Sequence, residues 1–427
     1  MPEKIVRDVV HDVIAFRMEV PVDRLLFDLI NAAEMQRLRR IRQLGLTSLA
    51  YPGADHSRYS HSLGVMETTR RMLSQLELDF RIDPYQRTVC LAAALLHDLG
   101  HGPFSHVFER VSGIEHEAVT CRMILDPSGE VHRLLVNHHP SLPHDITEML
   151  CHRPRSFLSD VISSQLDADR FDYLLRDNLM TGSRYGDYDL NWLLHALAVD
   201  TVGNRLVVHA KGVSAIEAFL QSRYHMYRNV YFHKVVRTAE GMVRLVLQRA
   251  KRLAVQGRLI WPAPEDAVHS ALLGRQLTLQ QFTDLDDVSV LHCFKQWAGE
   301  SDAVLARLCR GLLYRRLYKV IELPVDLSRA ETDTLLMKVR DVVAGSGGDP
   351  DYDLFYDEPA DTPYDLAEGE ERGEGEHVRQ IAVLDEQGKV VPFATLSSLP
   401  AALNRQLFFR RVHVADAYEV LAKQVVK

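Results

Sequence analysis

The sequence predicts a mainly α protein, a large helical body followed by a small C-terminal α+β subdomain. Three observations carry that expectation. Apolar residues recur at three- and four-residue spacing in segment after segment of the first 310 residues. Beyond Leu312 the pattern shifts to short alternating runs around one helical stretch. The 427 residues, 46% apolar and 25% charged, have the composition of a globular chain with ample core. The longest near-continuous apolar run, Val89 to Leu96, falls far short of the ~20 residues needed to cross a bilayer. No basic, then apolar, N-terminal segment marks a secretory signal. Five scattered cysteines (Cys90, Cys121, Cys151, Cys293, Cys309), an odd number without a Cys-x-x-Cys pair, read as reduced thiols in a cytoplasmic protein.

The elements follow in order. Ile5, Val9, Val13 and Ile14 among polar neighbours predict short opening strands. Leu26, Ile30, Ala33, Arg37, Ile41 and Leu44 then recur at helical spacing, predicting a helix that ends near Gly45. Further helices are expected at about 62–77, 86–99, 115–125, 157–180 and 213–255, separated by breaks rich in Gly, Pro and Asn. Residues 1–310 form the helical body and 311–427 the subdomain. In the latter, Tyr318 to Leu323 reads as a strand and Glu331 to Val343 as a helix. Gln380 to Leu384 and Lys389 to Phe393 flank Asp385 to Gly388 as a hairpin. The net charge of −8 is concentrated: Asp349 to Glu376 holds twelve acidic residues and one arginine. With its Gly and Pro content, the segment 345–377 is expected to be a solvated, flexible insertion.

Twenty histidines, many of them between His56 and His152, give the first functional hint. Leu95-Leu96-His97-Asp98-Leu99-Gly100-His101 sets an imidazole beside a carboxylate at the end of an apolar helix. A buried pair of that kind is costly unless paired or metal-bound. His-Asp doublets also occur at His11-Asp12 and His144-Asp145, where context does not favour a ligand. Ser57 to Val65 places His61 at a helix start, three residues after Arg58. The segment Ser164 to Asp177 carries acids at 167, 169, 172 and 177 in an amphipathic helix, where a solvated charged face is the plain alternative. His61, His97, Asp98 and one of these acids would make a site of two nitrogens and two oxygens. Such a set suits Mn, Mg, Fe, Ni or Zn without choosing among them.

The order of these motifs resembles the HD-domain metal-dependent phosphohydrolases, and within them the deoxynucleoside triphosphate triphosphohydrolase group, which includes the sterile-alpha-motif and HD-domain enzymes. The likeness is to the HD portion, without a sterile-alpha-motif domain. It runs through Gln36 to Gly45, Tyr51 to Ala54, Arg58 to Val65, His97 to His106, Asp167 to Tyr173 and Tyr231 to Lys234. The resemblance implies an HD-domain helical core and makes Asp169 the fourth metal ligand. It implies catalytic roles for His101, His106, Glu109 and His116, with His106 as proton donor. Arg58, Arg170, Arg223 and Lys234 would face the phosphates and Gln43, Tyr173, Asp177 and Tyr231 the sugar, with Leu44 and His233 as further substrate-binding positions. Gln36 and Arg39 match positions of an allosteric site, while Asn31 stands where a guanine-reading Asp would be expected. Glu109 stands where the mammalian member has Asp, and Arg170 where it has Lys. Each swap keeps the charge and changes the reach.

The implied reaction is hydrolysis of a dNTP to a deoxynucleoside and inorganic triphosphate with a divalent metal ion. A homo-oligomer is implied, a tetramer by resemblance, with a dNTP or GTP as activator. The nearest alternative keeps the metal and acts on another phosphoester, such as a nucleoside monophosphate, a cyclic nucleotide or an alarmone. A nucleotide sensor or nucleic-acid scaffold using Arg37, Arg39, Arg40 and Arg42 is less favoured, because Arg37 shares a face with apolar positions and the chain is acidic.

Overall fold

In the computed structural model, residues 3–151, 154–259, 261, 266–361, 371–372, 376–377, 380–403 and 407–426 are described. The chain is mainly α. An antiparallel hairpin, Glu3–Asp8 with Asp12–Arg17, opens it. Pro21–Asn31 follows, with Pro at the first helical position and Leu25, Leu26, Leu29 and Ile30 buried on one face.

The helix expected to run to Gly45 ends early. Ala32 is extended, Ala33–Arg37 is a single short helix, and Leu38–Arg40 is a 3-10 turn. Arg37, at the end of the short helix, is fully buried and donates to the carbonyls of Leu285, Leu99 and His101. Beyond it Arg42 leaves the helical path to bridge Ser57. The apolar spacing thus marked buried positions rather than a continuous helix.

Two long helices make the centre of the body. Arg58–Leu76 starts at the Ser57 cap. Pro84–Leu96 starts at Asp83, which accepts from the N–H groups of Tyr85 and Gln86. Every residue from Thr88 to Leu96 is buried, so this helix is surrounded on all sides. Leu142–Leu150 packs on the second of them, His116–Leu125 and Glu130–His138 pack on Leu142–Leu150 in turn, and His106–Ser112 packs on Lys234–Val255.

The helix expected over 157–180 is two, Phe157–Ile162 and Ala168–Thr181. Asp167 separates them by capping the second: its carboxylate accepts from Arg170 N and Ser164 N. The one expected over 213–255 is also divided. Val213–Met226 widens into a π turn at Tyr227–Tyr231, and His233 then caps Lys234–Val255. π turns of this kind recur where a side chain must be re-aimed for function. Asp287–Trp297 and Ala303–Leu313 complete the body.

The C-terminal part has a small core of its own. Arg411–Val414 is the central strand between Lys319–Glu322 and Leu354–Asp357, and all pairings are antiparallel. Arg329–Gly345 and Glu419–Val426 cover it, closing Ile321, Val339, Val343, Leu354, Val412, Val414 and Ala422 together.

Two expectations need correction. The start of the acidic segment is not a solvated loop, because Tyr352, Leu354 and Phe355 are buried and Leu354–Asp357 is an edge strand. Its acids are answered by Arg340, Arg307 and Arg237, which pair with Asp351, Asp353 and Asp357. Residues 362–370 and 373–375 lie outside the described residues. The hairpin of Ala382–Leu384 and Val390–Pro392 also belongs elsewhere than the subdomain. Val383 pairs in parallel with Val208, so the hairpin extends the body sheet formed by Leu197–Asp200 and Arg205–His209.

Among the described residues no helix is long and apolar enough to cross a membrane. The cysteines are free thiols, and folding brings Cys121 and Cys151, far apart in sequence, to 3.9 Å.

Candidate active site

Three helix ends converge on one point. His61 lies in the first turn of Arg58–Leu76, His97 caps the C-terminus of Pro84–Leu96 with Asp98 after it, and Asp169 is in the first turn of Ala168–Thr181. His61 Nε2 is 2.9 Å from Asp169 Oδ1 and 3.9 Å from Asp98 Oδ2. His97 Nε2 is 3.3 Å from Asp98 Oδ1 and 3.7 Å from Asp169 Oδ1. Of the four acids in the Asp169 segment, the structure brings Asp169 to both histidines, while Asp167 is committed to its cap.

The donor set fits a divalent cation. His61 Nδ1–H donates to Asp172 Oδ2 at 2.8 Å, and His97 Nδ1–H donates to Ala94 O at 2.9 Å. Each ring therefore turns its Nε2 toward the two carboxylates, the arrangement by which outer hydrogen bonds orient metal-ligating histidines. His97 Nε2 is buried and has no hydrogen-bond partner. Burial lowers the His61 pKa, but Asp169 and Asp172 more than offset it by hydrogen bonds and charge, carrying it up to about 10. Asp98 is held well below the usual carboxylate range: burial raises its pKa, but Arg58, His97 and His101 overcome that. The site thus favours positive charge.

Beside it stands a cluster of three imidazoles and one carboxylate. The His101 and His116 rings stack at 4.0 Å, and the His106 ring lies edge-on to both at 5.6 and 5.5 Å. His106 Nδ1 and His116 Nδ1 stand 3.3 and 3.2 Å from Glu109 Oε2. Partial burial raises the Glu109 pKa, yet these two histidines bring it down to about 2. His101 is buried and held well below its ordinary value by burial and by Arg58. His106, Glu109 and His116 also form a second group able to hold a cation.

The loop between the clusters is strained. Phe104 and Ser105 both take φ of +51°, rare for residues with a side chain. Asp287 holds it from outside, accepting from Phe104 N and Arg42 N at 2.9 Å each. Arg58 donates from Nη2 to Ser105 Oγ at 2.7 Å and pairs through Nη1 with Asp98.

Farther along Ala168–Thr181, Tyr173 and Asp177 follow Asp169 at four-residue intervals and so share its face. Tyr231 OH donates to Asp177 Oδ2 at 2.8 Å, and His56 Nε2–H donates to Asp177 Oδ1 at 2.7 Å. The Tyr173 and Tyr231 rings meet edge-on at 6.3 Å. Gln43 N donates to His56 O, which ties the Gln43 backbone to the residue that bonds Asp177.

Among the expected phosphate contacts, Arg223 is buried with its guanidinium 5.4 Å from the centre of the Tyr227 ring. Lys234 is exposed at the start of its helix, and His233 caps it. Arg170 is folded back onto Asp167. Gln36 and Arg39 hydrogen-bond each other, with Arg39 3.8 Å over the Tyr59 ring. The arginines of this stretch do not form a stripe: Arg37 is in the core, Arg40 pairs with Asp286 and Arg42 with Asp55.

The structure adds His56, Ser105, Asp287 and His11, which reaches Asp172, to the residues around the site. The signals for His56 and Ser105 were present, since both lie inside or beside the matched motifs.

Residues 58–177 match the HD domain family, and residues 188–260 match the HD associated region. The chain is 38% identical over 409 residues to the uncharacterized protein YwfO of Bacillus subtilis, covering 94% of this chain and 89% of that one. It is 31% identical over 261 residues to the deoxynucleoside triphosphate triphosphohydrolase SAMHD1 homolog of Dictyostelium discoideum, covering 56% of this chain and 48% of that one. To the Gallus gallus deoxynucleoside triphosphate triphosphohydrolase SAMHD1 it is 29% identical over 375 residues, with coverage of 76% and 58%. A solved phosphohydrolase from Bacteroides thetaiotaomicron superimposes with a TM-score of 0.81 at 29% identity, covering 96% of this chain and 99% of that one.

Proposed function

The chain belongs to the HD-domain family, and on that premise we propose that it is a divalent-metal-dependent triphosphohydrolase converting a dNTP and water to a deoxynucleoside and inorganic triphosphate. The observation that carries this reading is the shared face of Asp169, Tyr173 and Asp177. Eight residues of helix rise about 12 Å, which joins a cation-holding end to an end built of aromatic rings and a hydrogen-bonded carboxylate. A nucleotide has that same polarity, phosphates at one end and a hydroxylated sugar at the other. The named activity of two relatives supports the substrate class.

His61, His97, Asp98 and Asp169 would hold the ion, which when bound supplies Lewis acidity toward a phosphoryl oxygen and toward water. Arg58, its guanidinium fixed by Asp98 and Ser105, lies beside them to take an α-phosphate oxygen. His106, more than half exposed with Nδ1 toward Glu109, would present Nε2–H to the departing 5′ oxygen. His116 shares Glu109, and the buried His101 stacks behind it. Arg223 and Lys234 would meet the outer phosphates, and Arg170 would do so from its tether on Asp167. Asp177 keeps lone-pair capacity for a 3′ hydroxyl beside its bonds from His56 and Tyr231. The Tyr231 ring would crowd C2′ and exclude ribose.

In the same reading the enzyme is a cytoplasmic homo-oligomer. An activating dNTP or GTP at Gln36 and Arg39 would have to displace the Gln36 to Ile30 bond and the Arg39 contact with Tyr59. The test is to incubate the protein with each dNTP, singly and mixed, with Mn or Mg, and to resolve the anions released. Inorganic triphosphate with deoxynucleoside supports the proposal. Only pyrophosphate or phosphate, under every mixture and metal, overturns it in favour of another phosphoester.

A further inference from the structure

His11 sits at the turn of the opening hairpin, whose strands are largely exposed, yet its side chain is 1% exposed. It reaches the back of the metal centre. His11 Nε2–H donates to Asp172 Oδ1 at 3.0 Å, while the other oxygen of that carboxylate accepts from His61 Nδ1–H at 2.8 Å. Arg176, one helical turn on, donates from Nε to Oδ2 at 2.8 Å and from Nη2 to Oδ1 at 2.9 Å. A carboxylate offers about four lone-pair positions, and these four bonds fill them.

The hairpin is built around the same point. Arg176 Nη1 and Nη2 also donate to Asp8, at 2.8 and 3.1 Å. Asp8 Oδ1 accepts from the N–H groups of Val10 and His11, and Asp12 takes a φ of +57° to complete the turn. Gly64, one turn after His61, leaves room for this arrangement, since a Cβ there would fall 1.8 Å from Asp172 Oδ1. The carboxylate is therefore enclosed by the hairpin turn and by the two helices that carry His61 and Asp169.

We infer that the N-terminal hairpin is a positioning device for the metal centre. His11 fixes the Asp172 carboxylate, and through it the ring of His61, so that metal affinity depends on a side chain that touches neither ion nor substrate. This rests on His61, His97, Asp98 and Asp169 being the ligand set. The physical reason is rotational: a ligating imidazole keeps its aim only while the acceptor of its distal N–H is fixed. Without His11, one lone pair of a fully buried carboxylate loses its donor. Arg176 still holds both oxygens, but the side of Oδ1 that His11 occupied is unanchored, so the carboxylate plane is set less firmly and with it the Nδ1–H bond that aims the His61 ring. A purely stapling role for His11 would instead lower stability and leave the affinity of the folded protein alone.

The test titrates Mn into metal-free protein, reading free Mn by electron paramagnetic resonance, and records thermal unfolding of each metal-free protein. His11→Ala is expected to weaken Mn binding about 10- to 100-fold, the usual effect of losing an outer-shell partner. His11→Gln, which offers an amide N–H in place of Nε2–H, is expected to restore binding close to the wild-type value. Wild-type affinity in folded His11→Ala, or a Gln variant no better than the Ala variant, overturns the inference. Asp169→Ala in the same titration tests the ligand set separately, because wild-type Mn affinity there would remove the premise rather than the role of His11. Should His11→Ala fail to fold, His11→Asn, too short to reach Asp172, replaces it with the same expectation.

Discussion

A Cβ added to Gly64 would lie 1.8 Å from Asp172 Oδ1, and 2.3 Å from Arg176 Nη2. The helix bearing His61 and the helix bearing Asp169 thus meet with a carboxylate resting directly on bare backbone. Glycine inside a helix ordinarily costs about 0.5–1 kcal/mol relative to alanine, so Gly64→Ala would be stabilising at a neutral position. Here Asp172 has no room to yield, being held by four donors. Gly64→Ala is expected to lose about 1–3 kcal/mol through overpacking, seen as a lower melting temperature, and to weaken Mn binding. A variant that melts higher than wild type would show that Asp172 can move freely.

Asp169 meets both histidines at a corner that is one-third exposed. Asp169→Ala should leave the fold intact while removing bound metal and triphosphate release together. Elemental analysis of the purified variant, beside anion chromatography of a dNTP digest, checks both. Full metal content in the variant would displace Asp169 from the ligand set.

Tyr231 combines a ring and a hydroxyl with separable effects. Tyr231→Phe keeps the ring and loses the bond to Asp177, so it should bind dNTP more weakly while still rejecting ribonucleotides. Tyr231→Ala should raise the kcat/KM for an rNTP relative to the matching dNTP by about 10- to 100-fold. Competition between dATP and ATP in one reaction measures that ratio, and an unchanged ratio in the Ala variant places ribose rejection elsewhere.

Arg37 has no exposed surface and serves three carbonyls. Burial lowers its pKa to about 9 against the pull of Asp286 and Asp287, leaving it charged at neutral pH. Arg37→Met removes the donors and leaves buried acceptors unpaired, with an expected loss of at least about 3 kcal/mol in urea unfolding. Because Leu99 and His101 lead into the strained loop at Phe104 and Ser105, hydrogen exchange there should accelerate. A loss below 1 kcal/mol would mean that water takes the place of the guanidinium.

His413, in the central strand of the C-terminal sheet, is stacked on Phe355 at 4.4 Å and fully buried. Burial lowers its pKa to about 4, against about 6.5 in the unfolded chain. The unfolded state therefore binds the extra proton between these values. Stability is complete above pH 6.5 and falls as the pH drops toward 4, by on the order of 3 kcal/mol from this group. His413→Phe retains the stack without titrating, so its urea midpoint should decline less over that window. Parallel curves for the two proteins would rule out His413 as the cause.

Parts of the site were legible because they are local. His97 and Asp98 stand where a fully apolar helix stops, and His61 stands just after a capping serine, so one stretch of sequence shows each. The acid that completes the set was not local information: four candidates shared one helix, and only the resemblance singled out Asp169. Apolar spacing persists through the breaks in 157–180 and 213–255, so local periodicity predicts a single helix in each. It persists since those residues face the same core, while the backbone is interrupted by the Asp167 cap and by the π turn that brings Tyr231 to Asp177. The turn at Asp385 to Gly388 marks a hairpin in the sequence, but alternation along a strand does not say which sheet it will join.

What the sequence by itself determined is the helical class, the position of the His-Asp pair and the residue types that gather there. What only the tertiary structure decided is how those groups are aimed. His56 reaches Asp177 across 121 positions, His11 reaches Asp172 across 161, and Asp287 holds Phe104 across 183. No local period or cap encodes such bonds. They form because each buried carboxylate must find donors for its lone pairs once packing has excluded water, and the folded chain alone determines which donors are near.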